Sequence, residues 1–277
     1  MKKFRFRLRL FVADEYQPLR VVPWLLWAAL VLTIVGQMAF SRWVLPPPYA
    51  AAEALRRPPP ENVLRLSSFG DAPMLARVMM LSLQGYDNQR GVSVPFRKLD
   101  YDIIGEWLDR IVALDERAEY PHFSAAKLYG VVNDESRRRK MVAWVRRHFA
   151  ARPNERWEWM AFSTNLAHYT LKDEKLSLEM ARELRQKTTP GAVPLWPRQS
   201  EIWFMESAGD YQAAANMLRQ QLLDGEITEA IDYRFTIDRL TEMLAGMVER
   251  GDITSAENRR ILDELDSVKP GKTQAKE

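Results

Sequence analysis

Cysteine is absent from all 277 residues. Its absence excludes a disulfide framework, a thiolate nucleophile and any cysteine-ligated zinc or iron–sulfur site, and it is compatible with an oxidising compartment where a stray thiol is a hazard. Histidine occurs 3 times, at His122, His148 and His168, each on a separate predicted helix without an i, i+4 partner. That spacing gives no HExxH-type ligand pair. Neither a glycine-rich phosphate loop, nor a calcium-loop run of carboxylates, nor a redox motif occurs. No metal and no cofactor is expected. A surplus of one charge is missing too: 40 Lys and Arg stand against 37 Asp and Glu, a net +3. That is too small for a general affinity for nucleic acid. Strand-like stretches are almost absent, Val92-Ser93-Val94 being the nearest, so the expected class is all-α.

What the chain does contain is one long apolar run, VVPWLLWAALVLTIVGQMAF over residues 21–40, without a charged side chain. At ~1.5 Å per helical residue it spans ~30 Å, the thickness of a bilayer's hydrocarbon core. The run exceeds a signal-peptide core and no A-x-A-like site follows closely, Ala50-Ala51-Ala52 lying behind Pro46-Pro47-Pro48. It therefore predicts a retained transmembrane helix. Trp24, Trp27 and Trp43 fall near its ends, where indoles settle among headgroups. Lys2, Lys3, Arg5, Arg7, Arg9 and Arg20 precede it, whereas only Arg42, Arg56 and Arg57 follow within twenty residues. Cations are retained on the cytoplasmic side, so the N-terminus is expected inside and the bulk of the chain outside. In a Gram-negative inner membrane that outside compartment is the periplasm.

The expected organisation is a basic cytoplasmic tail over 1–20, the span over 21–40, a tether over 41–61, a helical domain over 62–267 and a disordered tail over 268–277. Residues 3–11 alternate cationic and apolar positions, which suits an extended segment touching anionic lipid, or a docking strand for a cytoplasmic partner. Pro46 to Pro48 and Pro58 to Pro60 fix φ and remove amide donors, so the tether should be a semi-rigid polyproline spacer, with room for a helical turn over 50–57. The domain opens with a helix behind a capping Asp71. A stretch of about fifteen residues, GYDNQRGVSVPFRKL over 85–99, then lacks helical period. Further helices are expected near 100–115, 119–131, 134–151, 155–171, 173–187, 196–208, 210–224, 228–249 and 255–267.

Tight turns at Asn133-Asp134, Lys172-Asp173, Gly209-Asp210 and Gly251-Asp252 recur about every 37 to 42 residues, the period of stacked helix–turn–helix units. The clearest unit, MESAGDYQAAANMLRQQL over 205–222, resembles the turn and second helix of a tetratricopeptide repeat. Gly209 ends one helix, Asp210 and Tyr211 open the next, Ala214 allows close approach and Leu218 supplies an apolar contact. LKDEKLSLEMAREL over 171–184 matches less well, through Asp173, Ser177 and Ala181, and the unit at Asn133 departs further, with Arg138 where a small residue belongs. In the first helices Ile202 stands where the family has Gly or Ala. The resemblance implies an α-solenoid of helix pairs whose concave face binds peptides or proteins.

Candidate partner-binding residues are Arg90, Phe96 and Arg97 in the aperiodic stretch, and Trp157 or Trp159, since neighbours two apart cannot share one helix face. The run Arg137 to Lys140, with Arg146 and Arg147, reads as a solvated helix face or a cationic surface for an acidic partner. Ser124-Ala-Ala-Lys127, with Ser163-Thr-Asn165 and Lys187-Thr188-Thr189, follows the motif order of penicillin-binding enzymes. Thr189 replaces the usual glycine and no strand is expected beside it. No catalytic residue is therefore assigned. The expected function is a membrane-anchored scaffold for proteins of the cell envelope, held in the lipid bilayer through residues 21–40. An accessory subunit of a larger inner-membrane transport, secretion or assembly complex is the alternative, and an enzyme ranks behind both.

Overall fold

The computed structural model describes residues 23–43, 53–89, 92–227 and 229–266. The basic tail, the first part of the tether and the C-terminal tail lie outside the described residues. The chain divides into two compact units, the first ending at Ala51. In the first, α1 runs Trp24–Trp43 and is long and apolar enough to cross a membrane, with mean hydropathy 1.7. It starts three residues later than the apolar run. Pro23 cannot donate an amide hydrogen, but its carbonyl accepts from Leu26 N at 2.9 Å and so opens the first turn.

The second unit is helical, with one short two-stranded ribbon. Its first elements are α2 (Glu61–Ser67), α3 (Ala72–Gln84), β1 (Asn88–Gln89), β2 (Val92–Ser93) and α4 (Tyr101–Leu114). Then come α5 (Tyr120–Phe123), which continues as π-helical turns to Tyr129, α6 (Glu135–Phe149), and α7 (Pro153–Asn165), continuing likewise to Thr170. The last are α8 (Glu174–Lys187), α9 (Leu195–Arg198), α10 (Ser200–Ser207), α11 (Tyr211–Leu223), α12 (Ala230–Arg250) and α13 (Ser255–Asp266). From α6 onward the longer helices pack each on the next, α6 on α7, α7 on α8, α8 on α10, and so on to α13.

Helix starts follow local chemistry. Asp71, Asp134, Asp173 and Asp210 each accept the backbone N–H three residues on, at 3.0 to 3.1 Å, satisfying an amide the helix leaves orphaned. At α13 Thr254 and Glu257 cap each other reciprocally, Thr254 N to Glu257 Oε2 at 2.8 Å and Glu257 N to Thr254 Oγ1 at 3.2 Å. The turns before Asp210 and Asp252 carry left-handed Gly209 and Gly251. There Asp210 N bonds Met205 O and Asp252 N bonds Met247 O, both at 2.9 Å, the six-residue closure that a left-handed residue permits.

Three elements differ from the sequence reading. Residues 53–60 form no helical turn, and α2 starts directly behind Pro60, because a proline triplet forces extended backbone up to a first turn that needs no amide donors. The aperiodic stretch is built from two 3₁₀ turns flanking the antiparallel ribbon β1–β2, paired Asn88 to Ser93 and Gln89 to Val92. Val94 N bonds Asp87 O at 2.7 Å and closes it. The expected helix over 196–208 is split at Gln199 into α9 and α10.

Three apolar clusters follow one another along the unit. The first joins α2, α3, α4 and the π-turn to α6; the second joins α6, α7 and α8; the third joins α10 to α13. Ser177, Ala181, Ala214 and Leu218, the expected small and apolar contacts of the repeats, are all fully buried. Ile202 is fully buried as well. Arg138 is also buried, its guanidinium reaching Val132 O at 3.0 Å rather than leaving space for a neighbouring helix.

Candidate partner-binding site

The residues singled out in the sequence do not converge on one surface. Arg90 lies outside the described residues. Phe96 and Arg97 sit in the 3₁₀ turn between Pro95 and Leu99. Phe96 is half-buried, edge-on to Tyr129 at 5.6 Å, whereas Arg97 is exposed and without an ion pair among the described residues. Trp157 and Trp159 do diverge, yet both are half-buried, because α7 has a core on each side. Trp157 joins the middle cluster and meets Trp196 edge-on at 5.7 Å. Trp159 joins the first cluster with Phe96, meets Phe123 edge-on at 5.7 Å and lies under Lys127 Nζ at 5.8 Å. Of this group Trp196 is the exposed indole.

The basic run on α6 is largely neutralised by the chain itself. Arg139 pairs with Glu135 at 2.9 Å and with Asp173 at 2.6 Å, and Lys140 pairs with Asp102 at 2.6 Å. Arg146 holds Glu179 and Glu183 on α8. The hydrogen bond from Arg139 and the capping bond from Leu176 keep the Asp173 carboxyl below the usual range. The run is a clasp between α4, α6 and α8, and within it Arg147 is exposed without an ion pair among the described residues.

The serine–lysine motif is split by burial. Ser124 is 0% exposed and its hydroxyl has no hydrogen-bond partner among the described residues, while Lys127 is exposed with its ammonium over the Trp159 and Phe162 rings. Gly130 ends that π-turn: a Cβ there would come 2.5 Å from Ala126 O, so only glycine fits. Ser163 is fully buried, and Lys187 is engaged with Glu183 at 3.1 Å. Among the described residues no group of three His, Asp or Glu side chains could hold a metal ion.

One surface that could hold another chain lies beside α12, whose buried residues include Tyr233, Thr236, Leu240, Met243 and Met247. Outside that buried stripe stand Ile231, 83% exposed, and Phe235, 57% exposed. Phe235 borders a groove of about 510 Å³ between α12 and the α10–α11 turn, with Tyr211 and Met243 as its other apolar walls. Arg239 bonds Glu206 across it, and Arg250 lies over the Tyr211 ring at 4.1 Å. A Cβ on Gly246 would sit 3.3 Å from Arg250 Nη1, close enough that the guanidinium would have to shift slightly. Asp238 and Glu242 line the groove's rim, exposed and without ion pairs among the described residues. The groove thus offers aromatic and thioether contacts beside two unneutralised carboxylates.

Sequence reasoning missed this groove, although its signal was present. Ile231 and Phe235 are i, i+4 neighbours on the face opposite the buried stripe, an apolar pair with no core to enter. Compared with known proteins, the chain matches no family model, no curated protein and no solved structure.

Proposed function

We propose that the chain is a membrane-anchored docking protein of the bacterial envelope. Residues 21–40 span the inner membrane with the N-terminus in the cytoplasm. The helical unit works in the periplasm as irregular tetratricopeptide-like pairs, and the groove beside α12 receives a segment of a partner protein. The excess of cations before the span supports the orientation. The Asp-capped turns at 134, 173 and 210 support the repeat reading. The docking role rests on one observation above the others, the uncovered Ile231–Phe235 face bordering a groove with unpaired Asp238 and Glu242. Exposed aromatics rimmed by polar groups mark binding surfaces, and these carboxylates select a segment carrying apolar and basic side chains.

The test is site-specific photo-crosslinking in cells producing the full chain, with the crosslinker at Phe235 and, as control, at exposed Ser255. Docking gives one discrete adduct from Phe235 whose crosslinked segment is basic and apolar, and which disappears in the Asp238→Lys/Glu242→Lys variant. An adduct unaffected by charge reversal, or equal labelling from Ser255, overturns the groove assignment. A reporter active only in the periplasm, joined after Glu277, tests the orientation separately, and its silence beside an active cytoplasmic reporter overturns it.

A further inference from the structure

A second uncovered apolar surface lies at the other end of the unit, on α2 and α3. Both faces of α3 are apolar. Ala76, Met79, Met80 and Leu83 enter the first core, while Met74, Val78 and Leu81, spaced i, i+4, i+7, face outward and are exposed. A helix apolar all round is normally covered all round. The turn feeding α3 extends this surface. Leu66 at the end of α2 is 82% exposed and Phe69 is 97% exposed. Phe69 is held at φ 49, followed by Gly70 at φ 93. Non-glycine residues rarely adopt that backbone, and here it carries the aromatic ring away from the core.

Charge on α3 itself is sparse. Arg77 is the single ionisable residue of α3; it is exposed and forms no ion pair among the described residues. Of the nearby carboxylates, Asp71 caps Met74 N, Glu61 pairs with Arg65 at 2.8 Å and Asp115 accepts from Arg117 N at 3.1 Å, while exposed Glu119 lines the same pocket as Arg77 and Leu81. Apolar side chains around an unpaired guanidinium match the boundary between acyl chains and phosphate headgroups. A second copy packed symmetrically about Val78 would bring two Arg77 side chains together, which disfavours self-association.

Chain length supplies the second argument. The first described residue of the unit is Glu53, whose carbonyl accepts from Tyr86 Oη at 2.8 Å and from Gln89 Nε2 at 3.0 Å. Leu55 is buried, and Arg56 O accepts the Trp107 indole at 2.8 Å. Tyr86 lies two residues past α3, so Glu53 is held beside that helix's C-terminal end. Only residues 44–52 separate Trp43, the last residue of α1, from Glu53. Ten Cα–Cα steps reach at most about 35 Å when fully extended. With α1 in the bilayer, Glu53 can lie no farther than that reach from the end of the span.

We propose that the α2–α3 face, with Phe69 at its tip and Arg77 toward the phosphates, rests on the outer leaflet of the bilayer that holds α1. This rests on the reading of α1 as a membrane span. The docked hairpin would fix the height and tilt of the unit, leaving the groove beside α12 to receive its partner.

The absence of cysteine makes the test direct. Full-length protein carrying a single cysteine is labelled with an environment-sensitive fluorophore and reconstituted into vesicles of phosphatidylethanolamine and phosphatidylglycerol containing nitroxide-labelled lipids. The positions are Phe69→Cys, Met74→Cys and Leu81→Cys on the face, Ser255→Cys on α13 as solvent control, and Leu32→Cys within α1. The proposal expects quenching by shallow nitroxides at the three face positions, several-fold above Ser255, and quenching by deep nitroxides at Leu32. It also expects Phe69→Ser to reduce the quenching at Met74→Cys. Quenching at Leu32 with face labels no more quenched than Ser255 overturns the docking and leaves the anchor standing. No quenching at Leu32 overturns the span and the docking together. Face labels that are shielded without lipid quenching, with shielding that fades on dilution into excess lipid, make the occupant a second copy and overturn the proposal.

Discussion

Asp109 on α4 accepts the indole hydrogen of Trp144 on α6 through Oδ1 at 2.7 Å. The same oxygen lies 3.2 Å from His148 Nε2, and the His148 ring stacks on Trp144 at 3.9 Å between centroids. Burial pushes the Asp109 carboxyl up, but hydrogen bonds from His148 and Trp144 outweigh it and hold the group below its ordinary value. Asp109→Ala leaves the buried indole N–H without an acceptor, at an expected cost of ~1–3 kcal/mol. In the Trp144→Phe background the same substitution should cost less, a double-mutant coupling of about 1 kcal/mol. Urea unfolding followed by circular dichroism measures both. Additive effects would mean the bond contributes nothing specific.

Glu201 is the one carboxylate of the described unit with a side chain 0% exposed among its ion pairs, and it joins α10 to α8 through Arg182 and Arg185, each Nε at 2.9 Å. Arg182→Ala with Arg185→Ala strands a buried charge, and the expected loss is ~3–5 kcal/mol. Adding Glu201→Met removes the stranded carboxylate and should recover most of that loss, because a buried pair contributes little net stability over an apolar replacement. Thermal unfolding of the three variants separates these effects. A triple variant no more stable than the double one would show that the arginines act through packing rather than charge.

What was legible in the sequence is what local chemistry determines. Asp71, Asp173 and Asp210 cap amides only three residues away, and Gly209 and Gly251 allow turns that close within six residues. The partners of the α6 basic run were not legible, since Arg139 meets Asp173 34 residues on and Arg146 meets Glu183 37 residues on. Such pairs exist only once the helices are stacked. The strands β1 and β2 are two residues each, too short to show a period. The half-burial of Trp157 and Trp159 follows from α7 being flanked by cores on both sides, which helical spacing alone does not reveal.

The turns at Lys172 and Gly209 do the same job with different residues. Lys172 sits at φ 53 and Gly209 at φ 82, each directly before an aspartate cap. A lysine in the left-handed region carries a steric cost that glycine avoids, roughly 1 kcal/mol. Lys172→Gly is therefore expected to be neutral or stabilising by up to about 1 kcal/mol, despite the added freedom of the unfolded chain. Gly209→Ala should destabilise by ~1 kcal/mol or more, since alanine cannot relax at that φ. Equilibrium unfolding decides between them; Lys172→Gly costing as much as Gly209→Ala would refute the backbone argument.

His122 makes the unit sensitive to acid. Its ring is 2% exposed, with Nδ1 3.1 Å from Ala118 O, no partner for Nε2, and the rings of Trp144 and His148 at 5.3 and 6.1 Å. Burial first, and the nearby Arg156 guanidinium second, lower its pKa from 6.5 to about 4. Between those values the unfolded chain binds a proton that the folded one refuses, so stability falls as pH drops from 6.5 toward 4 and is fully present above 6.5. A shift of this size corresponds to roughly 3 kcal/mol across that window. Substituting His122→Gln removes the titrating group while keeping a polar side chain of similar reach. The variant is expected to be less stable than the parent at neutral pH, where a neutral imidazole packs well, but to lose less stability on acidification. Unfolding midpoints measured at intervals from pH 7.5 to pH 4 test this, and parallel pH profiles for parent and variant would assign the acid sensitivity to other groups.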